Sequence, residues 1–198
     1  MLEIADFVPH APVPAATIDA YDGLVPEEIV ELWERYGYGS FGEGFVRIVD
    51  PHAVEARIGN LLGKMIGDST AAVPIMVTAL ADVVLWEPDR GVAGLLLRQR
   101  RAVGLGSRPR TLVRLTAKHG AAHLSRAFDW SPYPDAVAHH GVPAYDEVLV
   151  RRGARGSGAG VAGVAELDSD AASAEQLELR PALPTIEALL DAQGPILH

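Results

Sequence analysis

The 198-residue sequence contains no cysteine. That excludes disulfides, thiolate metal sites and a cysteine nucleophile, and it suits a reducing cytoplasm. No apolar run approaches the ~20 residues that span a bilayer, so no membrane partner is expected. The opening "MLEIADFVPHAPVP" has no basic region and is broken by prolines, unlike a secretory leader. Residues 90–128 hold no acidic residue and nine basic ones, a local charge of +9, whereas residues 1–89 carry −11 and residues 129–198 carry −7. No aromatic residue interleaves with the bases between 98 and 126. Base stacking is therefore unsupported, and with a net charge of −9 no direct nucleic-acid contact is expected. The acidic excess fits a basic partner instead.

What is present is the composition of a globular domain: 48% hydrophobic and 22% charged residues. Residues 1–24, with Pro9, Pro12 and Pro14, read as an irregular lead. Residues 25–198 read as a single domain. "VPEEIVELWERYG" predicts a helix with Pro26 at its first position, Glu27 and Glu28 at the positive end of its dipole, and Ile29, Leu32, Trp33 and Tyr36 on one stripe. Gly37 ends it. "FVRIVD" alternates as a short strand, and Asp50-Pro51 opens a helix over 51–66 that turns Val54, Ile58 and Leu61 inward. "VPIMVTAL", "DVVLWEP" and "GVAGLLLRQR" read as strands joined by turns at Ala81-Asp82 and Pro88–Gly91. "RTLVRLTAKHGAAHLSRAF" reads as helical with an interruption at Gly120, residues 129–147 as turn-rich, 153–174 as a Gly-rich loop or insert, and "IEALLDAQ" as a closing helix behind Pro184-Thr185. The expected class is α+β: an antiparallel meander sheet packed by N-terminal helices and a C-terminal helix.

"GYGSFG" at residues 37–42 matches G-x-G-x-x-G, the pattern of a dinucleotide loop. Such a loop needs a strand before its first glycine and a helix N-terminus after its last. Here a helix runs into the glycines and a strand leaves them, and the nearby dipole end is the negative one. Asp50 follows Gly42 by eight residues instead of the ~20 of a ribose-binding acid. No cofactor is expected; the glycines turn the backbone.

The segment from Val25 to Leu62 resembles the opening of the GAD-like family. The shared parts are a Pro-started helix carrying a Trp (Pro26, Trp33), a G-x-G stop (Gly37, Gly39), a Gly-led strand (Gly44) and an Asp-Pro helix start (Asp50, Pro51). "VPIMVTALADVVLWE" continues the similarity, with Ala81 where the family carries Gly before Asp82. "GVPAYDEVL" and "ALPTIEALLDAQGP" resemble later segments, although the aromatic after Asp146-Glu147 is missing and residues 153–163 depart from the pattern. The resemblance covers residues 20–100, and 140–195 more loosely. It implies an immunity protein, of the kind found with type VI secretion and other polymorphic toxins, that binds a cognate toxin without catalysis. If that toxin is a nuclease, acids can fill its phosphate site. Glu27, Glu28, Glu31 and Glu34 on the first predicted helix, with Glu43 in the turn, are the expected partner-binding residues.

Other constellations are weaker. His119 and His123 have the i, i+4 spacing of a helical zinc pair, but Gly120 stands where a metalloprotease carries its Glu base. A metal-dependent hydrolase using this pair is the alternative from another class, and a phage- or secretion-associated structural adaptor is a third. No metal is expected. His139-His140 reads as loop. Asp168 and Asp170 begin a calcium-loop pattern that fails at Ala172 and Leu179. Asp146-Glu147 reads as a loop tie. Gly156-Ser157-Gly158 lacks the strand before a nucleophile elbow.

Overall fold

Each strand of the main sheet pairs with its nearest strand in sequence. The computed structural model describes residues 3–65, 72–152 and 174–193. Strands β1 (Val8–Ala11), β2 (Tyr38–Phe41), β3 (Val46–Ile48), β4 (Val73–Thr78), β5 (Val83–Glu87), β6 (Gly91–Leu96) and β7 (Arg101–Gly106) form a seven-stranded antiparallel meander in that order. Helices α1 (Ala15–Tyr21) and α2 (Glu27–Tyr36) connect β1 to β2, and α3 (Pro51–Met65) lies between β3 and β4 in sequence. Helices α4 (Pro109–His119), α5 (Ala121–Phe128) and α6 (Pro132–His140) follow the sheet. A separate antiparallel pair, β8 (Glu147–Arg151) with β9 (Leu177–Pro181), precedes α7 (Ala182–Gln193). The class is the α+β meander expected.

Period-two alternation sends the strand residues into two buried layers. Val46, Ile48, Met76 and Val84 join Ile29, Leu32 and Trp33 of α2, with Leu112, Val113, Leu124, Phe128 and Tyr133 from the three helices after the sheet. Phe45 centres the aromatic part of this layer, 5.0 Å from Tyr133, 5.5 Å from Trp130 and 6.0 Å from Phe128 between ring centroids. On the other side Val77, Val83, Leu85 and Leu95 meet Val54 and Ile58 of α3, Ile186, Leu189 and Leu190 of α7, and Val148 of β8. Each such fully buried side chain contributes about 1.5–3 kcal/mol. A backbone hydrogen bond from Leu149 N–H to the Ala79 carbonyl (2.7 Å) fastens the small hairpin to the β4–β5 turn.

Several elements differ from the sequence reading. The irregular lead expected over 1–24 holds β1 and α1. β1 tolerates Pro9 because an edge strand has one side that needs no ladder hydrogen bond. The turn-rich stretch over 129–147 contains α6, whose Pro132 stands in the first turn, where a missing N–H leaves no bond unmade. His139 and His140 therefore end a helix instead of lying in a loop. Pro26 occupies the N-cap of α2, one residue before the position expected. α7 starts at Ala182, so Pro184 lies within its first turn and not before it. The Gly-rich stretch expected near 153–174 falls, through residue 173, outside the described residues, as do Ser157, Asp168 and Asp170.

Candidate functional site

The glycine stretch divides into a helix stop and a hairpin. Gly37 closes α2 at φ 71° and donates its N–H to the Trp33 carbonyl (2.8 Å). A side chain there would press on the Ala11 carbonyl oxygen at 2.5 Å. Gly39 lies inside β2, and a Cβ on it would collide with the Val8 carbonyl and the Phe7 ring, so its bareness lets β1 lie against β2. Gly42 and Gly44, at φ 62° and 80°, make the β2–β3 turn. In sequence a strand, not a helix, follows these glycines.

Three of the four acids of α2, Glu28, Glu31 and Glu34, border a groove of about 580 Å³ between α2 and α4, and Glu27 does not line it. Leu32, Tyr36, Pro109 and Val113 give it an apolar floor, and Glu28, Glu31, Glu34, Arg35 and Arg110 stand around it. Local sequence explains the helix faces: apolar residues at i, i+3, i+4 go to the core, and the glutamates between them go outward. Glu27, Glu31 and Glu34 are exposed and Glu28 is half-buried. Two of these acids are already engaged. Glu28 accepts the Arg110 backbone N–H (3.2 Å) and faces Arg108 Nη1 at 4.0 Å; Glu31 pairs with Arg110 Nη2. Part of the basic 90–128 segment thus neutralises part of the acidic first third, across about 80 residues of sequence. Among the described residues Glu34 has no such partner. Glu43, also exposed, belongs to the β2–β3 turn instead: its N–H donates to Asp6 Oδ2 (2.8 Å) and its carbonyl accepts the Tyr133 hydroxyl (2.9 Å).

The histidine pair does not share one helix. Gly120, at φ 47° and ψ −128°, ends α4 and begins α5 between His119 and His123. Burial, then Arg126 and His119, push the His123 imidazole below its ordinary pKa. Among the described residues no group of three or more His, Asp or Glu side chains is arranged to hold a metal. His140 donates Nε2–H to the Ala174 carbonyl (3.0 Å). Glu147 ties its loop by accepting the Ala144 N–H (3.1 Å), the role read from the sequence.

Three buried charges escaped the sequence reading: Asp82, Arg47 and Glu87, the last with Arg90 Nε at 4.0 Å. Asp82 receives Thr78 Oγ1–H (3.1 Å) and the Leu97 N–H (3.2 Å), with Arg98 Nη2 at 3.9 Å. Burial raises its pKa to about 6, against the lowering influence of Arg98 and these hydrogen bonds. Arg98 in turn donates to the Phe128 and Asp129 carbonyls, both at 3.1 Å, so this knot fastens α5 to the sheet. Arg47, in the middle of β3, is fully buried. A single polar residue in an apolar run was the only signal for it, and that pattern equally describes a solvent-facing strand position.

Residues 3–96 match the model of the GAD-like domain, a stretch that includes α2, its glutamates and the first six strands. Among solved structures, the crystal structure of Atu4351 from Agrobacterium tumefaciens is similar in fold, with a TM-score of 0.68 and 15% identity over 96% of this chain and 88% of that one. A comparison with curated proteins finds no match. Among the described residues no helix is long and apolar enough to cross a membrane.

Proposed function

We propose that this protein is a cytoplasmic immunity protein that binds a cognate secreted toxin and blocks it without turnover. The observation that carries the proposal is the GAD-like match over residues 3–96, together with the immunity role that resemblance implies. The α2 surface supports it. Glu34 is an exposed acid beside an apolar-floored groove, the combination that recognises a basic side chain with an aliphatic stem. A nuclease toxin, whose phosphate site is basic, is the fitting class of partner.

The test is protection. Candidate toxin domains from the genes flanking this one are expressed in bacteria alone and together with it, and each purified pair is titrated by calorimetry. Rescued growth and a stoichiometric complex are expected. Normal toxicity in the presence of the folded chain, with no heat of binding, overturns the proposal. The triple reversal Glu27→Lys, Glu31→Lys, Glu34→Lys then locates the surface: slower association is expected, and unchanged kinetics remove α2 from the interface.

A further inference from the structure

The two ends of the main sheet are finished differently. β1 begins the strand order and β7 ends it, so among the described residues each has one edge that no other strand of the sheet covers. Such an edge is a row of N–H and C=O groups ready to pair with another chain, and folds blunt it with proline, charge or a bulge. β1 is blunted at its centre: Pro9 has no N–H, and the register shifts between Pro9 and Ala11. β7 has no proline, and its one charge, Arg101, stands at the first position. Residues 101–104 pair with β6 in unbroken register, and the bulge, at Leu105, falls beyond them.

β7 is firmly seated all the same. Val103 and Leu105 pack against the core layer that holds α2, and Ala102 against the layer that holds α3 and α7. Its surface is open: Arg101, Gly104 and Gly106 are exposed, whereas every residue of β6 is buried. A Cβ on Gly104 or Gly106 would meet nothing within 4 Å, so the side chains of a neighbouring strand have room there. The strand is thus extended before anything binds, and an incoming segment bears only its own ordering cost.

Charge selects the occupant. Arg100 and Arg101, both exposed, open β7, and Arg108 follows it, its side chain 75% exposed although Glu28 faces it at 4.0 Å. Residues 90–128 contain no acid. Antiparallel pairing with a second copy would gather three arginines at each end of the new ladder, an unfavourable match. A strand with carboxylates at its ends is the favourable one.

We propose that the outer edge of β7 is a docking site for an extended acidic segment of a partner protein, which adds an eighth strand to the sheet. It uses none of the glutamates of α2, so it is a second surface, separate from the one proposed for the toxin.

Hydrogen exchange on the unaltered full chain, with no toxin present, tests it. The probe is the blocked peptide Asp-Asp-Val-Thr-Val-Thr-Val-Asp at about 2 mM. One control carries Lys for each Asp, and the other carries Pro in place of the central Thr-Val-Thr. The acidic peptide is expected to slow exchange over 101–106 about tenfold and to leave β1 unchanged. The Lys control should slow it less than about twofold, and the Pro control not at all. Arg101→Glu, at the exposed start of the strand, should reduce the effect of the acidic peptide to that of the Lys control. No slowing with the acidic peptide overturns the proposal, and so does equal slowing with either control. Slowing that grows with protein concentration in the absence of peptide would make a second copy the occupant and also overturns it. The peptide series stands whether or not the variant folds.

Discussion

Asp82 and Arg47 are both fully buried in the same sheet, and the protein holds them in opposite ways. Asp82 lies in a tight turn where a hydroxyl and a backbone N–H already point at its oxygens, with a guanidinium behind them. Arg47 lies mid-strand, where both backbone groups of its neighbours are committed to the ladder and only a loop carbonyl reaches it. A turn has spare polar groups to turn inward; a paired strand has none. The penalty for burying a charge is therefore partly offset at Asp82 and hardly at all at Arg47.

The largest expected difference comes from deleting each charge. Asp82→Ala removes the acceptor of the Thr78 hydroxyl and of the Leu97 N–H and takes away the buried carboxylate facing Arg98, for a loss of about 3–5 kcal/mol in urea unfolding at pH 7. Arg47→Met removes a cation whose donors are mostly unmet, so stability is expected to change by no more than about 1 kcal/mol. Equal, large losses at both sites would break the contrast and mean that Arg47 is satisfied as fully as Asp82.

A smaller effect sharpens it. The folded-state pKa of Asp82, about 6, lies above the ordinary 3.8, so the native protein holds this proton more tightly than the unfolded chain. That contribution is complete below about pH 4 and is lost as pH rises through 6. Two units correspond to about 3 kcal/mol. The native chain should therefore lose roughly 2–3 kcal/mol relative to Asp82→Asn between pH 4 and 7. A difference that instead grew in favour of the native chain over this window would mean that Arg98 outweighs burial.

What the sequence disclosed follows the same division between local and distant causes. The start and stop of α2 and the start of α3 were legible because Pro26, Gly37, Asp50 and Pro51 act on their own few residues. The β4–β6 meander was legible because its turns are short and its strands apolar throughout. β1 and β7 were not: as sheet edges they are partly exposed, "VPHA" carries no hydrophobic alternation, and in "RAVGLG" Val103 and Leu105 alternate only with glycines, which are poor strand formers. α6 hid behind Pro132 and Pro134, which suggest turns until their place in the first helical turn is known. The five candidate acids were identifiable as acids, but the capture of Glu28 and Glu31 by Arg108 and Arg110 was not, because it depends on α4 docking beside α2.

That capture sets up the smallest expected effect, between two glutamates two turns apart on α2. Arg108, at the N-cap of α4, supplies no side-chain hydrogen bond to its own helix. The Glu28 carboxylate does so in its place, accepting the Arg110 N–H at the positive end of the α4 dipole. Glu28→Ala is therefore expected to cost about 1 kcal/mol in thermal or urea unfolding. Glu34→Ala, which removes an exposed carboxylate bordering the same groove, should change stability by less than about 0.5 kcal/mol. Toward a basic partner the order reverses. Glu28 already faces Arg108, so its field outward is partly cancelled, whereas Glu34 presents a full charge. Glu34→Lys should slow association several-fold at low salt, with the difference shrinking as salt is added, and Glu28→Ala should slow it less. Stopped-flow association at two ionic strengths measures both. A larger kinetic loss at Glu28 than at Glu34 would mean that the partner displaces the arginines of α4 and takes over their carboxylates, so the groove would have to open before it binds.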